Sequence, residues 1–427
     1  MERTPSPYAI LRNWDFLNYL IGRFIASFGQ QMLVVAVGWE LYERTHSSLL
    51  LGFVGLTAVV PMVLMTLPAG HVADTRERKR VIIAMQAMLA CTSMGLAFIS
   101  WKQAPVAWVF VCLFLAGVAR TFLWSASASF LPQLVSRPEF PLALNWSSST
   151  FQFSAVAGPA AGGALIALTN HAVVVYVCTA VSSLICLGMI CLVRTHSKPP
   201  PKQPVSMETL LGGFRFVFNH RIILGTITLD LFAVLFGGAT ALLPVYAKDI
   251  LDVGPQGLGL LQAALPVGSM LCAIIMAHRA PMRKAGRSLI CAVTIFGLAT
   301  VGFGYSKRFW LSLVMLFICG FADNVSVIVR HTLVQLLTPD SLRGRVSSVN
   351  NLFIGTSNEF GGFESGTVSY LFGPVFSVVS GGIATILVVA AVAWHWPEIP
   401  RFGRLVQPAG DEARTGAPDL AKSREAE

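Results

Sequence analysis

Several ionisable side chains fall inside stretches of this sequence that are otherwise apolar. They are Arg23, Glu40 and Arg120 in the first half, and Asp230, Asp323, Arg330, Glu359 and Glu364 in the second. A charge in an apolar run is costly, so such residues are by default candidates for ion, proton or polar-ligand pathways. Arginine is a standing cation suited to an anionic or polar group. A carboxyl shielded from water takes up a proton more readily, and a neighbouring arginine reverses that preference; the two together can trade a proton against a ligand. An offset of 207 residues carries Arg23 onto Asp230, and an offset of 202 carries Arg120 onto Ala322, beside Asp323. At both places the first half supplies a cation and the second an acid. Two readings stay open: the arginines, Arg330 included, hold a ligand while Asp230 and Asp323 carry protons, or these charges form ion pairs with a purely structural job. Glu359 and Glu364 lie five apart and point in different directions on a regular helix. Each serves as a proton carrier or is capped locally by Ser357, Asn358 or Ser365.

Other chemistries find little support. There is no G-x-x-x-x-G-K-[ST] phosphate loop, no Ser/His/Asp or Cys/His constellation, and no histidine paired with an acid at i, i+4. The eight cysteines all sit in apolar runs without metal spacing, where cysteine acts as a small hydrophobe. Neither an enzyme, a cofactor nor a resident metal is expected. Gln30, Gln31, Met32, Trp39 and Trp124 suit a bulky, partly apolar ligand, and suit helix packing equally well.

The elements that must position these residues are membrane helices. Apolar residues make up 54% of the 427 positions and charged residues only 12%, about half the usual charged share of a globular protein. Runs long enough to cross roughly 30 Å of hydrocarbon recur about twelve times. They lie near Phe16–Tyr42, Leu50–Val72, Val81–Trp101, Val106–Ala128, Leu142–Leu168 and Val173–Val193, then Ile222–Ala247, Leu258–His278, Ser288–Tyr305, Trp310–Leu336, Val346–Tyr370 and Val375–Trp396. The expected fold is an all-α membrane protein of about twelve transmembrane helices in two six-helix halves. Residues 1–194 form the first half, 195–218 a linker with Pro199, Pro200, Pro201 and Pro204, 219–397 the second half, and 398–427 a disordered tail.

The net charge of +10 reports topology rather than nucleic acid. With the N-terminus inside, the outer loops hold only Arg44, Lys102, Lys248, Lys307 and Arg308. Apart from Arg23, Arg120 and Arg330, every other one of the 31 basic residues falls on the inner side. Both termini are therefore expected in the cytoplasm. The partners implied are the lipid bilayer, a small-molecule substrate and protons, with no nucleic acid.

A repeat relates the halves: LPQLVSRPEF after the fourth run answers LVQLLTPDSL after the tenth, and GPAAGG at Gly158–Gly163 answers GGFESG at Gly361–Gly366. Such repeats place a binding site near the midplane, between the halves. The loop after the second run reads AGHVADTRERKR at Ala69–Arg80. Its Gly70-x-x-x-Asp74 followed by Arg78-Lys79 resembles the loop motif of the major facilitator superfamily, with Thr75 and Glu77 departing from the pattern. LLGGFRFVF at Leu210–Phe218 and QLLTPDSLRGRVSSVN at Gln335–Asn350 are similar to its enterobactin-exporter and drug:proton-antiporter branch. Gly158, Pro159, Gly162 and Gly163 match that branch's antiporter motif, with Ser154 where its first glycine stands.

The resemblance implies the major facilitator fold, with spans one, four, seven and ten lining a cavity. It implies alternating-access export of a small amphipathic molecule, siderophore- or drug-like, in exchange for protons, by a monomer in the bacterial inner membrane. A lipid-like or metal-bound substrate, and a multispan receptor or scaffold without transport, are the alternatives. It further implies a cytoplasmic gate, in which Asp74 bonds across the halves to the start of span eleven with help from Arg78, Lys79 and Arg343 or Arg345. A carboxylate is favoured there by the unpaired N–H groups of a helix N-terminus.

Overall fold

The computed structural model describes residues 8–194, 214–279, 282, 284–339 and 342–403, the side chains at 344, 345, 348 and 352 excepted. Twelve long helices carry it. Those of the first half are α1 (Trp14–Thr45), α2 (Ser48–Thr75), α3 (Arg78–Lys102), α4 (Ala107–Leu134), α5 (Phe140–Thr169) and α6 (Val173–Leu192). Those of the second are α7 (Arg221–Phe236), α8 (Gly254–Ala277), α9 (Ala285–Tyr305), α10 (Phe309–Leu337), α11 (Arg343–Phe372) and α12 (Pro374–His395). The repeat is visible in their starts: Trp14 and Arg221 are 207 residues apart, Ala107 and Phe309 are 202 apart. Among the described residues, eleven segments are long and apolar enough to span a membrane. The twelfth, α11, has the length but carries Asn350, Asn351, Glu359 and Glu364. It lodges between α2 of the other half and α7 and α12 of its own, which limits its contact with lipid.

Several helix ends show why they stop. Asn13 caps α1 by accepting from the amides of Asp15 (3.0 Å) and Phe16 (3.2 Å), and its own amide donates to Leu134 O at 2.8 Å. His46, Gln103 and Asn170 take left-handed backbone at the far ends of α1, α3 and α5, the conformation that commonly ends a helix. In α7 the regular helix ends at Phe236, where Gly237 and Gly238 follow. The chain continues as a 3-10 turn (Ala239–Leu242), a short turn with Pro244, and a π-turn over Tyr246–Ile250. Breaks of this kind in a membrane helix survive where protein surrounds them; here Leu242, Leu243 and Tyr246 are fully buried.

Two boundaries move. The linker drawn to residue 218 ends sooner, because residues 214–219 are helical and Val217 is buried with Ile223 and Val346. The tail drawn from residue 398 begins later: Glu398–Arg401 is a helical turn whose Ile399 is 0% exposed. Ile399 plugs the gap left by Gly225 and Gly286, and the amides of Ala285 and Gly286 donate to Gly403 O and Phe402 O. An apolar residue with a socket to fill overrides the polar composition around it. The remainder of the linker and tail lies outside the described residues.

The halves touch along two seams, α2 with α11 and α5 with α8. Small residues make both possible, as expected where helix backbones must approach closely. A Cβ on Gly366 would stand 2.7 Å from Gly52 Cα, and one on Gly163 would stand 3.1 Å from Gly259 Cα.

Candidate functional site: two half-bundles joined at one end

The end of the bundle holding both described chain termini and the Arg78–Arg80 loop is here called the basic end. At the opposite end one apolar core runs through both halves, from Met32, Val35, Leu41 and Leu51 to Leu243, Tyr246, Leu258 and Leu316. At the basic end the cores separate. One is built from Phe16, Tyr19, Ile82, Phe130 and Ile190 of the first half; others come from Leu229, Leu289 and Leu333, and from Ile223 and Val349, of the second. The bundle is sealed at the far end and split at the basic end.

Polar contacts agree with the apolar ones. The Tyr42 hydroxyl donates to Asp249, and Lys248 Nζ lies 3.6 Å from Glu43 and 5.7 Å from the Trp39 ring centre. Each crosses between the halves at the far end. This lock was not read from the sequence; the only signal was acids and a lysine in outer loops on both sides of the repeat. Glu40, also at that end, pairs with Arg44 at 3.3 Å within α1.

At the basic end Arg78 and Lys79, expected at the gate, bond within their own half. Buried Arg78 donates Nε to Ala73 O at 3.2 Å. Lys79 donates to Cys191 O (3.1 Å) and Val193 O (2.6 Å), tying α3 to α6. Arg343 donates to Gln335 O at 3.2 Å, and the Arg345 side chain lies outside the described residues. Glu77 pairs with Arg80 at 2.6 Å. Asp74 is half-buried at the end of α2 and makes no hydrogen bond or ion pair among the described residues. A Cβ on Gly70 would meet nothing within 4 Å. The contact expected of Asp74 is thus not made among the described residues.

In the second half, Arg330 is 2% exposed and pairs with Asp230 across α10 and α7. That corrects its assignment as a cavity residue: it is enclosed by its own half. Asp323, two turns along α10, makes no hydrogen bond among the described residues, although the charges of Asp230 and Arg330 both reach it. Arg330 Nε likewise has no acceptor. Arg330 is therefore paired with one carboxylate, while a second, Asp323, lies near enough to both for their charges to reach it. Glu364 accepts from Ser365 Oγ at 3.3 Å and lines an apolar groove of about 540 Å³ between α7 and α11 with Leu231, Leu235 and Phe360.

The first-half cations are arranged differently. Arg23 donates Nη1 to the Tyr19 hydroxyl at 2.9 Å, near Cys186. Arg120, midway along α4, donates Nη2 to Gln30 Oε1 at 2.8 Å and remains open to solvent between the halves. Glu359 of α11 lies within reach of its charge, backed against Gly55. Trp124 is 69% exposed, one turn beyond Arg120 on the same face. Gln31 points elsewhere, packing against Gly158, while Gly162 packs on Met32 and Gly163 on α8. Pro159 and Ser154 are buried, with Ser154 Oγ donating to Thr150 O at 2.9 Å.

Two repeated six-helix bundles around a charged cleft define a two-lobed membrane transporter. The Major Facilitator Superfamily profile matches residues 19–362, and the chain belongs to that family. It is 25% identical over 393 residues to the enterobactin exporter EntS of Shigella boydii (serotype 4, strain Sb227), covering 91% of this chain and 93% of that protein. The EntS of Escherichia coli O139:H28 stands at the same identity. Among solved structures, a bacterial homologue of the human lysosomal transporter Spinster in an inward-facing, unoccupied conformation superposes with a TM-score of 0.71 at 13% identity, covering 91% of this chain and 97% of that one. The nucleoside transporter NupG superposes at 0.70, with 14% identity and coverage of 90% and 100%.

Proposed function

We propose that the protein exports a small amphipathic molecule, siderophore- or drug-like, across a bacterial inner membrane in exchange for protons, with both termini in the cytoplasm. The observation that carries this reading is the buried Arg330–Asp230 pair with a second acid, Asp323, near enough to feel both charges and without a hydrogen bond among the described residues. A proton arriving at Asp230 releases Arg330 toward Asp323, and departure of the proton returns it. Such an element has two discrete pairings, and anything that biases one pairing biases the conformation. The similarity to EntS supports export and a siderophore-like cargo. On the charge count, the split end faces the cytoplasm, so the structure corresponds to the loading conformation.

The test uses everted vesicles with an acidified interior and panels of siderophores, antibiotics and lysolipids. A substrate should collapse part of the pH gradient as it is taken up. Asp323→Asn should keep downhill movement and lose accumulation; wild-type accumulation by that variant would remove Asp323 from the coupling. No substrate-dependent proton movement across all panels would leave a uniporter or scaffold.

The gate carries its own expectation. In the opposite conformation Asp74 meets the N-terminus of α11, a contact worth about 1–2 kcal/mol if partly buried, or roughly 5- to 30-fold in a rate that depends on closing. Asp74→Asn should slow turnover by that order and leave substrate affinity nearly unchanged. An effect confined to affinity counts against the gate.

A further inference from the structure

The export reading leaves the cargo's chemistry open, and resting on that reading we infer that the cleft binds an aromatic acid carrying a hydrogen-bond donor at its opposite edge. Arg120 is the starting point. Its guanidinium has five N–H donors, and its hydrogen bond is to a neutral amide, Gln30 Oε1, at 2.8 Å. Among the described residues no carboxylate lies within ion-pair distance of it. Gln30 Oε1 holds the guanidinium from one side, and Arg120 is otherwise exposed. One planar carboxylate entering the cleft can take a fork from the remaining donors of Arg120.

The adjoining surfaces fix the rest of the ligand. Trp124 offers an exposed flat face one turn along α4 from Arg120, which suits an aromatic ring. The facing wall is Glu359. Its position follows from α2, which packs Gly55 against Glu359 of α11 and packs Ala58 and Pro61 against Gly117 of α4, one turn from Arg120. Glu359 makes no hydrogen bond among the described residues, so it can accept from a hydroxyl or amine. Acid, ring and donor thus span from the first half to the second. A ligand held by both halves favours the arrangement that brings them together.

Binding to the purified full-length protein in nanodiscs, by equilibrium dialysis, tests this with three probes: a hydroxynaphthoate, its amide, and the naphthoate lacking the hydroxyl. The hydroxynaphthoate should bind at least tenfold more tightly than the amide. Arg120→Gln should weaken the acid by about 10- to 100-fold, the range for losing a charge-assisted bond, and weaken the amide far less, while an unchanged midpoint of thermal unfolding shows that the variant is folded. Arg120→Lys keeps the charge without the fork and should recover only part of the loss. Glu359→Gln should reduce the preference for hydroxynaphthoate over naphthoate. Equal binding of acid and amide by the wild type, or an Arg120→Gln protein that holds the acid as well as the wild type does, overturns the inference. The readout is binding alone: the site stands if it binds the acid and vesicles show no exchange, and it falls with export intact if vesicles exchange other compounds while the acid does not bind.

Discussion

Asp230→Asn is expected to be the most damaging conservative substitution in the second half, and its damage should be to folding. Arg330 is enclosed and depends on Asp230 for its counter-charge. Removing one partner of a buried pair leaves an uncompensated charge and costs about 3–5 kcal/mol, against a total stability of roughly 5–15 kcal/mol for an ordinary domain. Purified Asp230→Asn protein should therefore show a sharply lowered midpoint of thermal unfolding and poor yield. The double variant Asp230→Asn with Arg330→Met should regain most of that loss, since replacing both members of a buried pair with apolar or neutral groups is often neutral. It should not regain proton-driven accumulation, because the element that chooses between two acids is gone. A double variant that accumulates substrate like the wild type would reduce the pair to a structural bond. Asp323→Asn is the complementary case. Asp323 holds no partner in this conformation, so its loss should spare stability and strike coupling. Measuring both properties in both variants separates the two roles, which a transport assay alone would merge.

Much of this was legible in the sequence, and the reasons differ by feature. Spans and halves follow from length and hydropathy, because a bilayer permits few alternatives. Only α11 strains that rule: it was recognised as a span although it is too polar to stand among the apolar ones, and its place between α2, α7 and α12 explains how it is tolerated. Arg23, Arg120, Asp230 and Asp323 were visible because a charge in an apolar run is conspicuous. Their partners were not. Arg330 turned inward to Asp230 because α10 and α7 meet there, a fact of tertiary packing that no spacing within α10 reports. The far-end lock of Tyr42, Glu43, Lys248 and Asp249 was missed for the opposite reason: outer-loop charges look like ordinary surface until two loops are found in contact. Val217 and Ile399 fall in stretches that read as linker and tail, because a single buried apolar residue in a polar stretch leaves no periodic signal.

The seams between halves make the second strong prediction. At α5–α8, Gly259 stands against Pro159 O and Ala160, and Gly163 against Pro255 O and Gly259. Two backbones approach there with no side chain between them. Gly259→Leu inserts four carbons into that contact at the far end, where the bundle is otherwise sealed by a shared apolar core. Within a half the change is mild, since leucine is a good helix former and glycine a poor one; what suffers is the approach of α8 to α5. The sealed arrangement should lose several kcal/mol, on the scale of overpacking in a tight core, while the arrangement split at the far end loses nothing. Transport should fall by at least 100-fold, because a carrier that cannot seal one end cannot alternate. A membrane-impermeant probe should then reach a cysteine placed in the cleft from the far side much faster in the variant than in the wild type. Loss of transport with wild-type accessibility would assign the glycine to folding instead. If the probe does enter, a second change that weakens closure at the basic end, Asp74→Asn, should partly restore turnover by rebalancing the two conformations.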